Sequence, residues 1–348
     1  MRTNSKRGKI NQISPKKKFI FSIFTAILIF IVVVIIAELA IRIIHPHPYM
    51  YPRWKYSPKY GHILYENCKM IQACPRKYKY VYTINAYNYR GKLVPISNSY
   101  SKENIVILGD SCSFGHGVND GEEYATIMAN KLNDNYNIIN LSVGGWGLTQ
   151  QIRRYYEFGR LYSPKIVLLQ FSSNDPEDNF KNKVTEIQEG RFKFQDSITT
   201  VNRLKKYLSK SIIQKSQIYN LIQSFLYQYF KERIVKKAKS KMLQENINKL
   251  EIPLEQKFYN QLLETFAKDL NRTGVKFLMI AINNQLEEYP FIQEMITDLD
   301  AEGLLDYYEI IPWFKDISDY GSPEGHPWGK KAHYIVGTKL SEIIRNNY

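Results

Sequence analysis

Residues Ile105–Gly117, reading IVILGDSCSFGHG, limit the fold more tightly than any other stretch of the chain. Four apolar residues, Ile105 to Leu108, run without a break into Gly109-Asp110-Ser111. A short, continuously apolar run bounded by glycine is the pattern of a strand buried on both faces. Such a strand belongs in a parallel sheet covered by helices, and Ser111 then stands at its C-terminal end. In open α/β sheets that rim is where ligands bind, and the next helix points its N–H groups there. A serine so placed is positioned to act as a nucleophile.

The rest of the chain repeats this unit. Tyr136–Leu141, Lys165–Phe171 and Val275–Ile282 read as further apolar strands, and Leu304–Ile311 as a fifth. Helical patterns cover 122–132, 148–161, 254–271 and 330–345. Repeated β-α units of this kind predict a parallel, doubly wound sheet with helices on both faces. A long interruption, about 180–253, separates the third strand from the fourth. Within it Leu204, Tyr207, Leu208, Ile212, Ile218, Leu221, Ile222, Phe225 and Tyr229 recur at helical spacing beside many lysines, which predicts an inserted helical cap. A basic amphipathic stretch of this kind either packs on its own domain or lies on a membrane surface.

The N-terminal part has a different character. Phe19 to Ala37 is nineteen residues without a charge, enough to cross about 30 Å of hydrocarbon at 1.5 Å per residue. Lys16, Lys17 and Lys18 precede it, which predicts a cytoplasmic N-terminus and an extracytoplasmic remainder. A cleaved signal peptide would have a shorter apolar region, and no small-x-small site or lipobox cysteine follows. The segment therefore reads as an uncleaved signal anchor over 19–44, behind a basic tail at 1–18. Glu38 and Arg42 are spaced to pair on one helix face near the outer interface. Residues 45–100 read as a linker and extension packed on the main domain, 101–348. The Pro- and Tyr-rich start of that extension suits a strap or a membrane boundary, and Tyr78–Ile84 reads as an edge strand.

The formal charge of +15 resembles that of a nucleic-acid binder until it is located. Seven basic residues and no acid lie in the first eighteen positions, and removing them leaves +8 on the other 330. That balance fits an anionic surface nearby rather than a reader of phosphates, so no nucleic-acid partner is expected. Three cysteines are too few for a disulfide scaffold. Cys68 and Cys74 either close a small loop in an oxidising compartment or remain thiols. No Cys/His spacing predicts a metal, His45 and His47 read as linker, and no cofactor is expected.

The strand ends converge on chemistry. Gly109-Asp110-Ser111, Asn140-Leu-Ser-Val-Gly144-Gly145 and Ser172-Ser173-Asn174-Asp175 lie on one rim of a parallel sheet. Ester cleavage through serine needs a nucleophile, a base, and donors aimed at a tetrahedral oxyanion. Glu324-Gly325-His326, ahead of the last helix, supplies an imidazole with a carboxylate two residues before it. These four blocks, in order and over residues 81 to 346, resemble the SGNH/GDSL hydrolase superfamily. Asn85-Ala-Tyr-Asn-Tyr-Arg90-Gly91 resembles a run found in its membrane-anchored members. The resemblance implies a flavodoxin-like three-layer α/β/α fold. It implies Ser111 as nucleophile, His326 as base, and an oxyanion hole of Ser111 N–H, Gly145 N–H and the Asn174 amide. Glu324 is the expected acid of the triad. Asp316 and Asp319 are alternatives to it, and some members hold the histidine by a backbone carbonyl. Asp110, Asp175, Cys112, Ser113, His116 and His333 are expected to be structural. The implied function is a membrane-anchored serine esterase acting on O-acyl groups, most simply O-acetyl, of envelope or exported glycans, with a lipid ester as another substrate class. Acyl transfer by the same serine, or a non-catalytic domain that binds glycan or a partner protein, are the alternatives.

Overall fold

A computed structural model describes residues 14–96, 102–181, 183–196, 212–226, 252–315 and 317–348. Leu204, Tyr207, Leu208, Tyr229, Asp316 and most of the basic tail lie outside the described residues.

Five strands form the central sheet: β6 (Glu103–Leu108), β7 (Tyr136–Asn140), β8 (Ile166–Phe171), β11 (Lys276–Ala281) and β12 (Asp306–Tyr308). All neighbouring pairs are parallel, and the spatial order is β12-β11-β8-β6-β7. Counted along the chain from the other edge this is 2-1-3-4-5, the flavodoxin-like order. Every residue of β8, and Ile105 to Leu108 of β6, is buried, because helices cover both faces. On one face lie α4 (Leu148–Glu157), α7 (Leu254–Arg272) and α8 (Pro290–Ala301), sharing a core with Val106, Leu108, Val167 and Leu169. On the other lie α3 (Tyr124–Lys131) and α9 (Lys330–Asn347), packed on Ile105, Ile107, Ile166 and Leu168. The alternation of partners along β6 and β8 follows the two-residue period of a strand. The fold is a three-layer α/β/α sandwich.

The extension is more ordered than its sequence predicts. β1 (Tyr49–Tyr51), β4 (Cys68–Cys74) and β5 (Tyr78–Ile84) make a three-stranded antiparallel sheet with β5 at its edge, while β2 (Lys55–Ser57) pairs with β3 (Gly61–Ile63). A separate core of Tyr60, Leu64, Met70, Tyr82 and Ile84 joins them to Phe114, Val143 and Trp146 beside the serine turn. Cys68 and Cys74 sit at opposite ends of β4. Six residue steps of strand separate them by about 20 Å, and neither is in a disulfide, which closes that alternative.

The interruption starts differently from the predicted helices. β9 (Thr185–Gln188) and β10 (Arg191–Phe194) form an antiparallel hairpin. Its two turn residues, Glu189 and Gly190, both take positive φ, the geometry that matches the twist of the flanking strands. The helical part that is described is a 3-10 turn, Ile212–Lys215, followed by α6, residues 217–226. Helix α1 (Pro15–Ile44) has thirty residues, none of them buried, and is long and apolar enough to cross a membrane.

Candidate active site

The C-terminal ends of β6, β7 and β8 place three loops on one rim. After β6, Asp110 accepts a hydrogen bond from the Cys112 N–H at 3.1 Å and so starts the short helix α2 (Ser111–Phe114). After β7, Asn140 donates to the Ser113 carbonyl at 2.7 Å and accepts from the Ser142 N–H at 3.2 Å. After β8, Asp175, the first residue of α5 (Asp175–Lys181), accepts from the Ser172 N–H at 3.1 Å. Asp110 and Asp175 are thus loop fasteners, as expected of them. Burial pushes both carboxyls above the usual range, with smaller contributions from the charge of Asp178 on both and of Asp110 on Asp175.

The loop after Tyr320 brings His326 to this rim. The His326 Nε2 lies 3.0 Å from the Ser111 Oγ, across 215 residues of sequence. Burial holds the imidazole pKa down at about 4 from an ordinary 6.5, and contact with the Trp328 backbone offsets part of that shift. The ring is therefore neutral at pH 7, the state in which it can accept a proton. The fold, the four blocks and this Ser–His contact agree. The site resembles that of SGNH/GDSL hydrolases.

No protein-family model and no curated protein sequence matches the chain. Among solved structures, the chain is similar to a lipolytic protein of the G-D-S-L family from Desulfitobacterium hafniense, with TM-score 0.42 and 10% identity over 70% of this chain and 99% of that one. It is similar to the esterase EstA of a Pseudoalteromonas species, with TM-score 0.39 and 14% identity over 70% and 98%. It is also similar to an acetyl-xylooligosaccharide esterase of Geobacillus, with TM-score 0.40 and 10% identity over 71% and 94%.

The residues expected as oxyanion donors are placed as follows. Gly145 has φ +75°, a left-handed conformation that glycine adopts without strain, and it is exposed at the rim. Neither its N–H nor that of Ser111 has a backbone acceptor among the described residues. The Asn174 amide donates one hydrogen to Asp178 at 2.8 Å, its oxygen accepts from the Ser172 hydroxyl at 2.6 Å, and the Asp110 carboxyl is a further neighbour.

Glu324 is not brought to His326. No ion pair between them occurs among the described residues, and the carboxylate oxygens are buried beside the Tyr80 phenol. The cause is local. The Ser322 N–H donates to the His326 carbonyl at 3.0 Å and the Ser322 Oγ accepts from the His326 N–H at 2.9 Å, closing a tight turn. Inside it Gly325 takes φ +88° and sends Glu324 away from the ring, into the space a side chain on Gly117 would fill. There, added to burial, it raises the pKa of the Tyr80 phenol. Asp319 is exposed. What stands against the imidazole is the Trp328 backbone together with the Cys112 sulfur, 3.8 Å from Nδ1. Glu324→Gln is accordingly expected to change kcat by less than about threefold, whereas an orienting triad carboxylate would cost far more; steady-state kinetics on an acetyl ester checks this.

Cys112 stays a thiol, because burial and the charges of Asp110 and Asp175 raise its pKa well above the ordinary value. The Ser113 hydroxyl is engaged with Tyr124 at 2.7 Å and Gln170 at 3.0 Å. His333 is a buried residue of α9 whose Nδ1 accepts from the Tyr124 N–H at 3.2 Å.

His116 is closer to the site than its sequence position indicates. Its ring stacks on that of His326 at 5.9 Å between centroids. A Cβ on Gly144 would lie 3.0 Å from its Nε2 and 3.5 Å from the Ser111 Cβ, so the missing side chain keeps this corner open. Burial, with His326 and Arg90 nearby, holds its pKa well below 6.5, and its Nε2 is buried without a hydrogen-bond partner. His116 is also the inner wall of a cavity of about 450 Å³ between the extension and α6, lined further by Arg53, Trp54, Gln72, Tyr219 and Asn220.

Proposed function

We propose that the chain is a membrane-anchored serine esterase that cleaves O-acyl, most simply O-acetyl, esters on a glycan outside the membrane. The observation that carries the activity is the 3.0 Å contact of the Ser111 Oγ with a neutral, buried His326. In this reading Ser111 attacks the acyl carbonyl carbon while His326 Nε2 takes the hydroxyl proton. The oxyanion is held by the N–H groups of Ser111 and Gly145 and by the Asn174 amide. His326 then protonates the departing sugar oxygen, and the acyl group remains on Ser111. Water, deprotonated by the same imidazole, attacks that acyl-enzyme, and the acid leaves as the serine proton is restored.

Because a neutral imidazole is required, activity is lost as pH falls through its pKa. The acid limb of kcat/KM is expected at about 4 rather than at the ordinary 6.5. A pH–rate profile with its limb near 6.5 would contradict the buried geometry. Asn174→Ala removes one donor and is expected to lower kcat by roughly 10²–10³-fold with little change in KM, read from steady-state kinetics.

The glycan assignment rests on the cavity beside His116. Trp54 and Tyr219 offer aromatic faces, Gln72 and Gln223 offer amides, and the Arg53 guanidinium lies 5.1 Å over the Trp54 ring. Such a lining suits hydroxyl-rich ligands with an acidic group better than an acyl chain. Release of acetate from O-acetylated acidic oligosaccharides, compared with hydrolysis of long-chain esters, tests it; preference for the long chain would reverse the assignment. Among the described residues no carboxylate pairs with His326, which favours a second reading, a non-catalytic glycan-binding domain that predicts binding of the same oligosaccharides without acetate release.

A further inference from the structure

Helix α6 is built inside out. Gln217 and Asn220 are buried, and with Tyr219 they face the cavity and the strap at 46–51. Gln217 accepts from the His47 N–H at 2.6 Å, and Asn220 donates to the Gln214 and Ser216 carbonyls at 3.0 and 2.7 Å. Ile218, Leu221, Ile222 and Phe225, spaced i, i+3, i+4 and i+7, make the opposite stripe. That stripe is turned outward: Leu221 is 39%, Ile222 52% and Phe225 67% exposed, and Leu226 and Ile213 beside it are 46% and 47% exposed. A helix packed on its protein in water presents the reverse pattern.

The start of this helix is fixed to α1. The Glu38 carboxylate accepts from the Gln217 N–H at 2.8 Å, the Ile218 N–H at 3.0 Å and the Ser216 hydroxyl at 2.9 Å, so a side chain of α1 caps α6. Arg42 closes the group with a 2.8 Å ion pair to Glu38. The depth of that cap follows from chain geometry. Nineteen uncharged residues, Phe19 to Ala37, rise about 28 Å as a helix, close to the ~30 Å of the hydrocarbon layer. Glu38 is the next residue, so α6 begins at the boundary between hydrocarbon and headgroups. Its exposed apolar stripe thus starts at the level where the uncharged run of α1 ends.

We propose that α6 is an in-plane membrane helix, its Leu221–Ile222–Phe225 face immersed in the leaflet that α1 leaves, and that the cavity behind its polar face is thereby held at the membrane surface. The occupant of the face is lipid. The active-site serine is then presented to acyl esters carried by polymers or lipids at that surface rather than free in solution. This proposal rests on α1 as a membrane span.

The test uses the full chain reconstituted in phosphatidylethanolamine–phosphatidylglycerol vesicles. Ile222→Cys and Phe225→Cys are spin-labelled, with the unsubstituted chain setting the signal from the three native cysteines. Power saturation then compares access of oxygen, which concentrates in lipid, with access of a water-soluble nickel chelate. Ile29→Cys in the middle of α1 reports the span, and Glu302→Cys, on the exposed turn after α8, reports water. The expected result is nickel access lost at 222 and 225, as at 29, with oxygen access retained. Nickel access at 222 and 225 equal to that at 302, with 29 still immersed, would overturn the proposal and leave the anchor standing. Nickel access at 29 would overturn the anchor itself. Loss of access to both reagents at 222 and 225 would mean that protein, from this chain or a second copy, covers the face, and would also overturn it.

Discussion

Ser111→Ala is expected to lower kcat for a small acetyl ester by roughly 10⁴–10⁶-fold while leaving thermal unfolding within about 2 °C of the parent. The size follows from the site: Cys112 is a buried thiol with a raised pKa, Ser113 is bound to Tyr124 and Gln170, and neither can take over the attack. The small effect on stability follows from the contacts of the hydroxyl, which among the described residues are with the neutral His326 at 3.0 Å and, weakly, Asp110 at 3.4 Å. Removing it strands no charge. Turnover retained within tenfold would show that the nucleophile is another group.

Arg90→Ala is expected to cost about 3–5 kcal/mol of folding free energy, a fall in melting temperature of roughly 6–20 °C for a domain of this size. Arg90 is 2% exposed and donates to the carbonyls of Phe114 at 3.1 Å, Gly115 at 2.6 Å and Val118 at 2.9 Å. It pairs with the buried Glu123 at 3.3 Å and with Asp120 at 3.2 Å, and its guanidinium lies 4.6 Å over the Tyr82 ring. One side chain therefore ties the extension to the whole loop that follows Ser111, including His116. Its loss leaves the Glu123 carboxylate buried without its cation and three carbonyls without donors. Arg90→Lys keeps the charge but not the planar fork, and should recover only part of the loss. Thermal unfolding followed by circular dichroism measures this, and a shift under about 2 °C would mean that the loop is held by other contacts.

The strands of the sheet were legible because burial on both faces leaves an unbroken apolar signature, as in Ile105–Leu108 and Ile166–Phe171. The loops were legible because Gly, Ser and Asn collect where those strands end. Elsewhere one-dimensional patterns fail for physical reasons. Strand β4 buries Met70, Ala73 and Cys74, a set without a two-residue alternation. The β9–β10 hairpin depends on Glu189 taking positive φ, which a glutamate does not announce. Glu324 and His326 are two residues apart, as a triad block requires, but the Ser322 turn parts their side chains. His116 carries no motif at all; its value comes from Gly144 and His326, which approach it only in three dimensions. The outward apolar face of α6 was legible as amphipathic, but which side meets the protein is a tertiary fact set by Glu38 and His47.

The central claim is that Ser111 is the nucleophile of this site, activated by His326. The most direct measurement is labelling of the full chain in detergent or vesicles with a fluorophosphonate, followed by peptide mass spectrometry. One phosphonyl adduct on the peptide containing Ser111, lost in His326→Ala, is the predicted result. No adduct on an intact, folded chain, or an adduct on another residue, would contradict it.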